Sequence, residues 1–113
     1  MKKENNLPEG ITPEQVAAWK EKHGENKVKT IKLFTDEKET EQITAIGVVP
    51  GRRTLSMYEK FSDSDPGKAK DILISNCMLT HLEQIKASDY MFFSCVKALA
   101  QLIPIGEAEV GNL

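Results

Sequence analysis

The stretch SDYMFFSCVKALAQLI, residues 88–103, constrains the fold of this chain more than any other. Phe92, Val96, Leu99 and Ile103 recur at helical spacing and make one continuous apolar stripe, which Phe93 and Ala100 widen. Pro104 then stops the helix. A stripe this wide must be covered by other elements. The chain, at 113 residues, is long enough to supply them within one domain and without a metal or disulfide staple. Aromatic residues make up only 6%, so the core has to rest on Ile, Leu, Val and Ala.

Start and stop signals divide the rest. Thr12, Pro13 and Gln15 form a capping-box start, and Gly24 can take the left-handed position that ends a helix, which predicts a short helix over 13–22 carrying Val16 and Trp19 inward. KVKTIKLF and QITAIGVV, separated by the acidic TDEKETE, predict an antiparallel hairpin, with Gly47 marking a bulge or a close contact. After the Pro50-Gly51 turn, Leu55, Tyr58 and Phe61 recur at three-residue spacing and suit a short helix, with a third strand over 53–58 as the alternative. Ser64 or Asp65 caps the next helix ahead of Pro66, and its inward face reads Ala69, Ile72, Leu73, Asn76 and Cys77. Thr80 and Glu83 form a further capping box, with Leu82 and Ile85 inward. The expected architecture is α+β: an N-terminal helix and a small antiparallel β-hairpin, then a bundle of three or four helices. Residues 1–11 are expected to be a flexible lead-in, 12–103 a single α+β domain, and 104–113 a loose C-terminal tail.

The Gly67-Lys68 pair opens the question of phosphate binding. A phosphate-binding loop needs two glycines, a lysine and a hydroxyl at fixed spacing. Here Ser62 stands at the first glycine's position and Ala69 at the hydroxyl's, no strand leads in, and Pro66 removes an N–H donor. DPGKA therefore reads as a capped helix start. Cys77 and His81 are four apart, but a zinc site needs three or four protein ligands and the remaining Cys95 and His23 lack ligand spacing. Both cysteines sit among Ile, Leu, Met, Phe and Val, where thiols are buried and inert rather than nucleophilic or disulfide-bonded. No paired carboxylates suggest a tuned acid and base. The reading is a protein without catalytic residues, metal or cofactor.

Candidate protein-binding residues are Arg52 and Arg53, which can grip a carboxylate, a phosphate or a partner protein, and Tyr58, Met78 and Leu79 as apolar anchors. The plainer alternatives are solvated charge for the arginines and core packing for the others, with Phe61 assigned to the core. A formal net charge of -2 and a pI of about 5.7 speak against a nucleic-acid partner. No run approaches the roughly 20 apolar residues that span a bilayer. MKKENNLPEG has no apolar stretch behind its basic start, so the expected location is the cytoplasm.

The succession KHGENKVKTIKLF, PGRRT and DPGKAKDILISNC, followed by a long apolar helix, resembles small phage and prophage proteins of the tail-assembly-chaperone type. The matching positions are Gly24, Val28, Ile31, Pro50, Arg52, Asp65, Pro66, Lys68, Ala69, Leu73, Asn76 and Cys77, and the resemblance spans residues 12–103. The spacer ENK between Gly24 and Val28, and Met78 in place of a large aromatic, depart from the pattern. The resemblance implies a non-enzymatic partner that keeps the tape-measure protein soluble in the host cytoplasm until tail-tube subunits assemble around it. A structural tail component and a small cytoplasmic regulator or adaptor are the alternatives. Helices over 66–79 and 89–103 are the expected walls of a groove that covers the partner's apolar stripe. Oligomeric state is left open at this level.

Overall fold

The computed structural model describes residues 7–8, 10–103 and 108–113. Residues 1–6 and 9 of the expected lead-in, and 104–107 of the expected tail with Pro104, lie outside the described residues. Seven elements follow in order: α1 (Pro13–His23), β1 (Val28–Phe34), β2 (Gln42–Val48), α2 (Arg52–Ser62), α3 (Pro66–Cys77), α4 (Leu82–Ala87) and α5 (Asp89–Gln101). This is the expected α+β architecture of helix, antiparallel hairpin and helices.

Local chemistry sets most of the boundaries. At α1 the Gln15 amide donates to Thr12 Oγ1 at 3.2 Å while the Thr12 amide donates to Gln15 Oε1 at 2.9 Å, a complete capping box. Gly24 closes the helix at φ 116°, a conformation that side-chain-bearing residues rarely adopt. Asp65 rather than Ser64 caps α3, its carboxylate accepting the Lys68 amide at 3.1 Å. Ser88 caps α5 through the Met91 amide. The 52–62 segment is helical, which removes the strand alternative.

The capping box expected at Thr80 and Glu83 does not form. Thr80 Oγ1 instead accepts the Ile46 amide of β2 at 2.9 Å, and His81, in the left-handed region at φ 60°, takes the N-cap position of α4 without a side-chain cap. The Leu79 amide donates to the Ile46 carbonyl at 2.8 Å, and Met78 bridges to Gly47. Residues 78–80 therefore run along one edge of β2 while β1 pairs on the other, in a register that sets Ile31 opposite Ala45 and Lys29 opposite Gly47 without a bulge. Gly47 marks a close contact.

Both edges and both faces of β2 are thus occupied, which is why Ala45, Ile46, Gly47 and Val48 are buried in succession rather than alternately. On one side Ala45 joins Ile31 and Leu33 against Leu73, Ile74 and Cys77 of α3, Ile85 of α4, and Met91, Cys95 and Leu99 of α5. On the other, Ile46 faces α1.

Two expected helix faces are rotated. On α5 the buried ridge is Met91, Cys95 and Leu99, with Phe92 and Val96 half-buried beside it and Phe93 exposed. On α3 Ile74 is buried in place of Ile72 and Asn76, and the exposed Asn76 amide donates back to the Ile72 carbonyl at 2.8 Å. In each case two neighbouring ridges are apolar, and the packed partner selects which of them points inward. No helix among the described residues is long and apolar enough to cross a membrane.

Candidate functional site

The five candidate binding residues do not converge. Arg52 and Arg53 occupy the first turn of α2, exposed, with no acidic residue there to offset the positive helix end. Tyr58 and Leu79 are half-buried and pack against the core. Met78 is 5% accessible and lies under the hairpin against Gly47, so it is a core residue rather than a surface anchor. The expected groove between α3 and α5 is closed, because these two helices pack on each other through Leu73, Ile74, Cys77, Met91, Cys95 and Leu99. Cys77 and His81 sit on separate elements, and the Nδ1 of His81 is 2.8 Å from Thr80 Oγ1. Among the described residues, no group of three His, Cys, Asp or Glu side chains is placed to hold a metal ion.

The two thiols are free and buried. Burial pushes Cys77 up to about 11. It pushes Cys95 up to about 12, with repulsion from Cys77 adding to the rise. Neither thiol supplies a thiolate at neutral pH, the opposite of what nucleophilic chemistry needs.

A concavity of about 880 Å³ lies elsewhere, between α1 and the outer face of the hairpin. Val28 and Ile46 form its floor and Val16 and Ala17 of α1 its wall, with Lys20 and Glu21 on the rim. The 3.8 Å ion pair of Lys20 with Glu25 at the rim is exposed and contributes little. None of the residues of α1 is fully buried, and its main contacts are with β1. The floor of the groove thus draws on both strands, Val28 and Thr30 of β1 and Ile46 of β2, and its wall is lightly held. Sequence reasoning missed it because its residues come from three separate elements. The available signal was the apolar residues Val28 and Ile46, one on each strand of the hairpin.

No protein-family model matches the chain, and no curated protein matches it either. The fold is similar to a solved structure described as an uncharacterised protein from Bacillus stearothermophilus, with 16% sequence identity, 86% of this chain and 99% of that chain covered, and a TM-score of 0.57. That likeness shows the fold alone.

Proposed function

We propose that this protein is a non-enzymatic assembly chaperone of the phage-tail type, which holds an apolar segment of the tape-measure protein in the cytoplasm. The observation that carries the reading is the apolar groove between α1 and the hairpin. An amphipathic helix of a long tail protein aggregates while its stripe is bare, and a groove with an apolar floor and charged rim covers such a stripe. The light attachment of α1, none of whose residues is buried, suits a wall that adjusts to a partner.

The test is affinity capture of the tagged protein from cells expressing the surrounding genes, with purified particles examined in parallel. The expected result is capture of a long helical tail protein, absence of this chain from finished particles, and a loss of binding of roughly tenfold or more for Val16→Asp or Ala17→Asp, the equivalent of 1.4 kcal/mol. Presence in finished particles would make it a tail component. Capture of no tail protein, or full binding by both variants, would overturn the reading or its groove respectively.

A further inference from the structure

Apart from residues 108–113, the described residues expose two large apolar side chains, Met57 at 41% and Phe93 at 56%, and their surroundings carry opposite charge. Met57 lies on α2 with Arg53 one turn before it and Lys60 one turn after, while Arg52 opens the same helix and Glu59 is its single acid. Phe93 lies on α5 with Asp89 one turn before it, and shares a shallow cavity of about 480 Å³ with Glu37, Tyr90 and Lys97. The hairpin loop brings more carboxylates to this place. The Tyr90 hydroxyl donates to Glu39 Oε2 at 3.5 Å. Desolvation, followed by the charges of Glu39, Glu37 and Asp36, holds the Tyr90 phenol above its ordinary value.

One face is thus an apolar side chain beside Arg53 and Lys60, with Glu59 the one acid of its helix, and the other an aromatic side chain beside Glu37 and Asp89, with Lys97 the one cation in its cavity. The two faces lie on different helices, α2 and α5, each of which packs against α3. We propose that the Met57 face of one copy docks on the Phe93 face of a second copy, with Arg53 and Lys60 set against Glu37 and Asp89. The contact has the anatomy of a protein interface, an apolar centre with a charged rim. It is heterologous, so a docked pair keeps one free face of each kind, the Phe93 face of one copy and the Met57 face of the other, and the association continues head to tail until a ring closes. The proposal does not use the α1 groove and stands or falls independently of it.

Light scattering or sedimentation of the purified full chain tests it. At low salt the mass is expected to climb with concentration beyond a dimer, and to fall back to the monomer at about 0.5 M salt, where screening acts within a few ångströms. Phe93→Asp and Met57→Asp each remove one face. Both positions are exposed, and circular dichroism verifies that the variants fold. Each variant alone is expected to be monomeric, while their mixture forms a species of twice the monomer mass and nothing larger, since each supplies the face the other lacks. A wild-type chain that stays monomeric throughout the low-salt series would overturn the proposal. So would association that survives either substitution, or a mixture of the two variants that fails to pair.

Discussion

Gly47 shows how one residue sets the spacing between the hairpin and the helices. A Cβ at this position would stand 3.0 Å from Ile31 Cδ1, 3.0 Å from Met78 Sδ and 3.2 Å from the carbonyl oxygen of Cys77. The first two are ends of flexible side chains and can retreat. The carbonyl belongs to the last turn of α3 and cannot, because the Met78 amide behind it is bonded to the Ile74 carbonyl. Gly47→Ala should therefore cost about 1–3 kcal/mol, the usual range for overpacking a filled core. In chemical denaturation this appears as a lower midpoint at unchanged slope. Combining it with Met78→Ala should leave most of that cost in place, so that the two changes nearly add, since the Cys77 carbonyl remains. An unchanged midpoint for Gly47→Ala would show that β2 and α3 are not held this close.

At the scale of elements, capping decides where helices begin and tertiary contacts decide how they turn. Asp65 holds the Lys68 amide at the start of α3, the helix that carries Ala69, Leu73, Ile74 and Cys77 into the core. Asp65→Ala should cost about 1 kcal/mol and speed hydrogen exchange at Lys68, whereas Asp65→Asn keeps the acceptor and most of the stability. Equal exchange rates in Asp65→Ala and the wild type would remove Asp65 from that role. The cap at Thr12 and the stop at Gly24 were legible in the sequence because the chemistry is confined to a few neighbouring residues. Thr80 was not, although its spacing to Glu83 is equally good, because its hydroxyl is taken by Ile46, 34 positions away. The inward faces of α3 and α5 were legible in part, through Ala69, Leu73, Cys77 and Leu99, and Ile74, Met91 and Cys95 were missed for a related reason: adjacent ridges are both apolar, and periodicity alone does not choose between them. The groove was least legible of all, being assembled from Val16, Val28 and Ile46 on three elements that only the fold brings together.

At the scale of the whole molecule, Cys77 and Cys95 report on the integrity of the core. They come from α3 and α5, are 1% and 0% accessible, and sit in the same cluster as Ala45, Ile85 and Leu99. So little of either is accessible that a bulky reagent is expected to need an opening of the layer between hairpin and helices. At pH 8 an aromatic disulfide reagent should therefore label both thiols slowly in the native protein and rapidly in denaturant, with the native rate tracking the free energy of opening. The same burial makes stability depend on pH with a definite sign. Raised from 9.0 to about 11 and about 12, the two thiols keep their protons in the folded state while the unfolded chain releases them. Their contribution is thus fully present below pH 9 and is lost as the pH rises from 9 through 11 and beyond. Tyrosine and lysine titrate in the same range, so the signature lies in the difference between the wild type and Cys95→Ala: the variant starts less stable, and its stability declines less steeply above pH 9. Parallel declines would mean that Cys95 is not desolvated in the native state, and fast labelling of both thiols in the native protein would mean that α3 and α5 do not close over the hairpin as described.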